Sequence, residues 1–212
     1  MTTPPPQDVD EALEQLGPPP TKPVEIALED PIGTGDEAVE AVTLAPLTWG
    51  QVGGLRLTFS GLLLDDLLAL TVQASSLTPL QADMLSTRDL ATISRHLSIN
   101  LACLMRGWIR AQQAYQAGAG RSRAAQLIEV ATKGLPGQAK DVPLQTFELQ
   151  ALTAGHIRGI GLDLGEMTQA QLREVAGRAS GQPDAILKRL ELPDAAEVVA
   201  ALVPFLLQLR GI

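Results

Sequence analysis

The sequence predicts an α+β fold in which helix predominates, arranged as two tandem units that are each a β-hairpin followed by about three helices. Three observations lead to this prediction. The chain of 212 residues is 45% hydrophobic but only 3% aromatic, so Leu, Ala, Val and Ile must fill its cores, as they do in helix-rich proteins. Short segments with a two-residue apolar period precede longer segments with a helical period. The second half of the chain also repeats the first.

The first unit opens with a predicted hairpin. Residues 24–28 and 38–44 alternate apolar and polar side chains, a pattern typical of strands that bury one face. Pro31, Gly33 and Gly35 lie between the two segments and supply the residues of a turn.

Helices are predicted after the hairpin. Thr48 and Gln51 match a capping box and predict a short helical turn. Residues 62–74 predict a short helix, whose early Asp65 and Asp66 suit the positive end of the helix dipole better than they suit catalysis. The longest helix is predicted over residues 89–116, because apolar side chains recur there every three or four positions.

The repeat appears when the chain is shifted against itself by 105 positions. Residues 44–104 then align without a gap with residues 149–209, and Gly, Thr, Ser and Asp match in order as well as Leu. With one residue inserted in the loop, residues 24–27 match residues 128–131. Pro204 stands where the first copy has Ile99, so the last helix of the second copy is predicted to kink or break there.

These patterns divide the chain into four parts. Residues 1–22 hold two Pro-Pro-Pro runs and predict a disordered arm. The two hairpin-plus-helices units are predicted over residues 23–105 and 128–212, and residues 106–127 are predicted to form a helix extension and linker.

Charge and composition exclude several classes of function. The net charge of -8 repels phosphate backbones and anionic lipid headgroups, so we expect neither nucleic-acid nor membrane binding. The N-terminus lacks the features of a secretion signal, and no stretch of about 18 apolar residues occurs. The single Cys103 cannot form an internal disulfide, which indicates a reducing, cytoplasmic setting.

No motif indicates catalysis, so no catalytic, cofactor-binding or metal-binding residue and no enzymatic activity is predicted. Residues 159–165 have the spacing G-x-G-x-x-x-G, which differs from a dinucleotide-binding loop. His96 and His156 have no ligand-type neighbour at helical spacing. A nucleotide-binding enzyme or sensor that uses this glycine loop is kept as an alternative, which a thermal-shift screen with nucleotides would test.

A candidate partner-binding surface lies where the long helix of the first copy overruns its counterpart. Trp108, Ile109 and Tyr115 form the largest aromatic and apolar cluster of the sequence, beside Arg106 and Arg110. Aromatic and Arg side chains dominate interface hot spots, but the cluster can equally be core packing, and arginines in such a group more often form a solvated helix face than a site for an acidic partner.

The two copies carry a shared pattern, a strand pair that leads into Leu-Thr-x-Gly, a short helix, a serine turn, an Asp and a final apolar helix. The residues that carry it are Ile26–Ile32, Val42-Thr43-Leu44, Leu47-Thr48, Gly50 and Asp89 in the first copy, and Phe147-Glu148-Leu149, Leu152-Thr153, Gly155, Ala179–Pro183 and Asp194 in the second. In this pattern the chain resembles the tail assembly chaperones of long-tailed bacteriophages, with two copies where members of that family usually hold one.

The resemblance implies a non-enzymatic factor of the host cytoplasm. Such a factor would bind the tape measure protein, keep its long apolar helices in solution and help recruit tail tube protein during tail morphogenesis, without remaining in the finished particle. Self-association into a homo-oligomer is compatible with this expectation. The alternative is a structural protein that stays in the phage tail or baseplate.

Overall fold

The computed structural model describes residues 17–56, 63–118, 126–129, 135–136, 143–144, 146–161, 163 and 166–209. Most of the predicted arm, residues 1–16, therefore lies outside the described residues, and residues 17–23 form neither helix nor strand. The predicted α+β class, mostly helical and with two hairpins each followed by helices, is confirmed.

The first hairpin pairs strand β1 (Val24–Ile32) with strand β2 (Val39–Leu44) in antiparallel register. Ile26 lies opposite Val42, and both side chains are buried. The predicted turn at Pro31 is wrong, because β1 continues through this residue. A two-stranded sheet has only edge strands, which tolerate a proline that cannot donate to the ladder. The other two predicted turn residues, Gly33 and Gly35, do follow β1 and have positive φ angles of 92° and 71°.

Three helices follow in the first copy, namely α1 (Leu64–Ala74), α2 (Pro79–Asp83) and α3 (Thr87–Gln116). One bond of the predicted capping box is present, since the Thr48 N–H donates to Gln51 Oε1 at 2.7 Å. Its residues form hydrogen-bonded turns rather than a helix, which is consistent with the glycines that follow.

The second copy repeats this order with shorter strands. Strand β3 (Gln126–Glu129) pairs with β6 (Thr146–Leu149), and β4 (Leu135–Pro136) pairs with β5 (Pro143–Leu144). The helices are α4 (Ala154–Ile157), α5 (Gln169–Ser180), α6 (Asp184–Leu187) and α7 (Leu192–Leu209).

Backbone hydrogen bonds support the predicted duplication. The Ala45 N–H donates to the Ala74 carbonyl at 2.7 Å, and 105 positions later the Gln150 N–H donates to the Ala179 carbonyl at 3.1 Å. The serine turns after α1 and α5 also share their bonds: Ser75 and Ser180 each donate to the carbonyl four residues earlier and accept an N–H from two residues later.

The alignment of the first strands requires a correction of two residues. In the structure Ile26 lies opposite Val42, and Ile128 lies opposite Phe147, which is the counterpart of Val42. Ile128 therefore corresponds to Ile26 and not to Val24. The sequence alone could not decide this, because a shift of two residues preserves the alternation of a strand.

At Pro204, where a kink or a break is predicted, the helix does not break, because α7 is a single helix with Pro204 inside it. A proline in a helix interior removes one hydrogen bond and costs about 3 kcal/mol. The neighbouring Leu202, Val203 and Leu206 are all buried. Their packing holds the helix together on both sides of the proline.

The chain forms two compact units that each draw on two stretches of sequence. One consists of Met1–Leu47 and Gly61–Ala102, and the other of Thr48–Ser60 and Cys103–Ile212. The second unit therefore contains a segment of the first copy, residues 48–60, and the C-terminal part of α3.

In the first unit, a buried carboxylate holds the hairpin against α3. Strand pairing in β1 slips between Ala27 and Ile32, which frees two backbone N–H groups. Asp89 accepts both, from Glu29 at 2.8 Å and from Asp30 at 3.3 Å, and it also accepts the Ser86 hydroxyl at 2.7 Å. Burial raises the pKa of the Asp89 carboxyl, but these hydrogen bonds outweigh burial and hold the pKa below its ordinary value of 3.8.

We expect Asp89→Asn to lower the free energy of unfolding by about 2–3 kcal/mol at neutral pH, because an amide replaces a buried charged acceptor. A depressed pKa contributes stability that is present above the unfolded pKa and is lost as pH falls through the folded pKa. The difference between the two proteins should therefore shrink in acid. Urea denaturation at both pH values measures it.

The control is Asp65→Asn in the first turn of α1, where the carboxylate is exposed. It should cost less than about 1 kcal/mol, the usual effect of a charge at a helix end. Equal losses in the two variants would contradict the role given to Asp89.

Candidate functional site

The first unit exposes large apolar side chains at the beginning of α1 and around α2. Leu63 is 71% exposed, Leu64 58%, Leu80 74% and Met84 58%. We call these four side chains the apolar patch. Single exposed leucines are normal on protein surfaces, whereas several large apolar side chains exposed on two successive helices suit a surface that other molecules cover.

A groove between α1 and α2 lies in the same part of the first unit. It has a volume of about 320 Å³ and is lined by Leu68, Ala69, Val72, Gln73, Pro79, Ala82 and Asp83. Five of these seven side chains are apolar. The groove is therefore suited to an apolar side chain or a closely packed backbone more than to a charged ligand.

The corresponding surface of the second copy is covered. Residues 48–56, which we call the first elbow, lie on it within the second unit. The Trp49 N–H donates to the Leu190 carbonyl at 2.7 Å, and the Gly50 N–H donates to the Lys188 carbonyl at 2.9 Å. Trp49 is fully buried. The backbone of the first elbow is therefore hydrogen-bonded to the segment that follows α6.

Side chains of α5 hold the first elbow from the other side. The Trp49 indole N–H donates to Gln169 Oε1 at 3.0 Å, and Arg173 Nη1 donates to the Trp49 carbonyl at 3.1 Å. Arg173 is itself paired with Asp184 at 2.7 Å. Hydrogen bonds from Arg173 and Lys188 hold the pKa of the Asp184 carboxyl below its ordinary value.

The first elbow also accepts hydrogen bonds from the backbone N–H groups at the start of α5. The carbonyl of Leu55 accepts the Gln169 N–H at 2.8 Å, and the carbonyl of Gly53 accepts the Ala170 N–H at 2.9 Å. N–H groups in the first turn of a helix have no partner inside the helix. The docked elbow therefore provides backbone partners for these donors.

The two equivalent surfaces differ in chemistry. Gln169 and Arg173, which bind the first elbow, correspond at the 105-residue shift to Leu64 and Leu68. The covered surface of the second copy is thus polar at its centre, and the exposed surface of the first copy is apolar. A polar side chain can form hydrogen bonds with an elbow. An exposed leucine contributes free energy only when it is buried.

The second copy has an elbow of its own, residues 153–161, which we call the second elbow. It shares two hydrogen bonds with the first, since the Thr153 N–H donates to His156 Nδ1 at 3.2 Å and the His156 N–H donates to the Thr153 carbonyl at 3.0 Å. Its residues Ala154–Ile157 form the short helix α4, whereas the first elbow forms turns. His156 therefore lies in the first turn of α4. Thr153, Ala154 and Gly155 are all exposed, unlike Trp49.

The partner-binding residues predicted from the sequence lie on the C-terminal part of α3, in the second unit. Trp108 is buried at 9% exposure, Tyr115 is 39% exposed, and Ile109 and Arg106 are half-buried. Arg110 forms a two-pronged ion pair with Glu197, at 2.8 and 3.1 Å. Nearby, a Cβ on Gly107 would lie 2.5 Å from the Ala196 carbonyl oxygen. The structure buries Trp108 and pairs Arg110 with Glu197 within the second unit, and the part of these residues in binding another molecule stays a prediction.

The apolar patch and the groove were missed by sequence reasoning. The available signal was the alignment itself, in which Leu64 and Leu68 replace Gln169 and Arg173. That exchange adds apolar side chains to a helix that already has an apolar face.

Other groups with reactive potential are buried or scattered. Burial raises the pKa of the Cys103 thiol to about 11, so this thiol stays protonated at neutral pH. Within the described ranges, no three His, Cys, Asp or Glu side chains converge as metal ligands would. Of the predicted glycine loop, residues 162, 164 and 165 lie outside the described residues. None of the helices in the described parts has the length and apolar character needed to cross a membrane.

Comparison with protein-family models, with curated proteins and with solved structures found no match to this chain.

We expect Gly50→Ala to lower the free energy of unfolding by about 1–3 kcal/mol, the usual cost of overpacking. A Cβ on Gly50 would lie 2.9 Å from the Lys188 carbonyl oxygen, which is backbone and cannot easily move. Thermal and urea denaturation would measure this loss.

The matched control is Gly54→Ala, four residues further along the same elbow. A Cβ there meets nothing within 4 Å, and the residue has no positive φ. The Gly54→Ala variant should be as stable as the parent protein or slightly more stable. If the two variants behaved alike, the close contact at Gly50 would not be what fixes the elbow.

Proposed function

We propose that this protein is a phage tail assembly chaperone, which binds the tape measure protein and helps recruit tail tube subunits during tail morphogenesis. The observation that carries the proposal is the apolar patch beside the groove of the first unit. An acidic chain that leaves Leu63, Leu64, Leu80 and Met84 exposed presents a surface suited to another apolar segment.

The chemistry of the groove supports a helical client. An amphipathic helix buries its apolar side chains in a groove of this kind and is recognised by shape and hydrophobicity rather than by charge. The net charge of -8 keeps such a complex away from other acidic proteins and limits its aggregation. These are properties that a factor needs when it holds long apolar helices before they assemble.

The proposal is tested by co-expressing the full chain with the tape measure protein of the same phage and measuring co-purification. Leu64→Asp combined with Leu80→Asp should reduce the recovered tape measure protein at least about tenfold, because burying each leucine contributes about 1.5–3 kcal/mol. Both side chains are exposed, so the variant should fold normally, as circular dichroism would check.

Leu127→Asp is the matched control, since Leu127 is 66% exposed but lies in β3 of the second unit. It should recover as much tape measure protein as the parent chain. A double variant that still binds fully would overturn the role of the patch. Presence of the protein in purified intact particles would favour the alternative, a structural protein retained in the tail or baseplate.

A further inference from the structure

We infer that the protein associates head to tail, with the second elbow of one molecule seated on the groove surface of the first unit of the next. The inference goes beyond the proposed function, because it stands on the duplication and on contacts within this chain. It would hold whatever client the protein binds.

The first elbow provides an example of this contact within one chain, which we call the precedent. It docks on the surface of the second copy that corresponds to the groove surface of the first unit. Its main-chain anchors are the carbonyls of Lys188 and Leu190 and the helix-start N–H groups of Gln169 and Ala170. At the 105-residue shift these positions are Asp83, Leu85, Leu64 and Asp65. All four lie in α1, in α2 or just after α2, around the groove. The first unit therefore has the same receiving framework.

The groove corresponds to the surface that the first elbow contacts on the second copy. Arg173 and Lys188 touch the first elbow in the second unit. Their counterparts, Leu68 and Asp83, are two of the residues that line the groove. The exposed groove is thus the place where an elbow would lie.

The second elbow shares part of the hydrogen-bonded structure of the docked first elbow. It repeats the Thr-capped turn of the first elbow, and the Ile160 N–H donates to the Ile157 carbonyl at 3.0 Å as the Leu55 N–H donates to the Val52 carbonyl at 2.9 Å. Arg178 Nη1 supports it by donating to the Arg158 carbonyl at 2.7 Å. An element that is preformed and exposed loses little conformational entropy when it binds.

Two positions show complementarity between the second elbow and the groove surface. Gly155 corresponds to Gly50, the residue whose missing Cβ permits close approach to the receiving backbone. Arg158 corresponds to Gly53, which contacts Ala170, and the counterpart of Ala170 is Asp65. Docking would therefore place the Arg158 guanidinium beside the Asp65 carboxylate, a charge pair that the precedent lacks.

A contact between two different surfaces allows association to continue beyond two molecules. The surfaces that meet are different parts of the molecule, so each added molecule leaves one groove and one second elbow exposed for the next. The average mass of the complex should rise continuously with concentration.

The test is sedimentation velocity of the full chain over a wide concentration range. We expect the parent protein to exceed the mass of a dimer at high concentration. Gly155→Val should remain monomeric at every concentration, because its side chain would meet the Asp83 carbonyl of the next molecule. In the free chain a Cβ on Gly155 meets only Thr153 Oγ1, at 3.5 Å, so the variant should keep the parent melting temperature.

Gly161→Val is the matched control. It lies at the end of the second elbow, where a Cβ meets nothing within 4 Å, and its counterpart in the docked first elbow is Arg56, a larger residue. This variant should associate like the parent protein.

A charge exchange tests the pairing itself. Arg158→Asp and Asp65→Arg should each weaken association about tenfold or more, since each places like charges together. The double variant Arg158→Asp/Asp65→Arg should regain most of the parent association. Failure of the double variant to recover would overturn the predicted contact.

The outcomes also separate this inference from the proposed function. A parent chain that stays monomeric but co-purifies with the tape measure protein overturns the head-to-tail contact and leaves the groove to that client or to the arm of the same chain. Association that survives Gly155→Val also overturns it, because a different interface must then be responsible. Association lost in Gly155→Val, without any binding of the tape measure protein, supports the inference and contradicts the proposed function.

Discussion

The docking of the first elbow depends on one close approach between backbones, in which the Gly50 N–H reaches the Lys188 carbonyl at 2.9 Å. Only a residue without a Cβ fits there, since any Cβ would lie at the same short distance from that oxygen. Once this contact is made, the neighbouring Trp49 is buried, its indole reaches Gln169, and its carbonyl reaches Arg173. Each of these polar groups has a partner, which makes burial of the tryptophan favourable.

The duplication gives the molecule two related surfaces with opposite character. On the second copy the surface carries Gln169 and Arg173 and is covered by the first elbow, whereas on the first copy it carries Leu64 and Leu68 and is exposed. The exposed apolar form is the less stable arrangement in water, because uncovered leucines lose the free energy that burial would provide. Such a surface is maintained where covering it serves a purpose. That reasoning underlies both the chaperone proposal and the head-to-tail contact.

Asp89 has a structural role rather than a chemical one. It is among the residues that carry the resemblance to tail assembly chaperones, and its carboxylate accepts the backbone N–H groups that the irregular strand β1 leaves without a strand partner. Its counterpart Asp194 is likewise buried at the start of the last helix of its copy. In the first copy this buried carboxylate fixes a strand to a helix.

The sequence alone determined the fold class, the duplication and the position of most helices, because these follow from local periodicity and from matches between distant segments. It also placed Gln51 where its side chain accepts the Thr48 N–H. Only the tertiary structure decided that Ile128 matches Ile26, that α7 continues through Pro204, and that the first elbow lies on the second copy. These outcomes depend on which carbonyls and apolar faces meet in space. A shift of two residues leaves the periodicity of a strand unchanged. Helix propensity does not predict the packing around a proline, and no local pattern predicts the surface on which a tryptophan is buried.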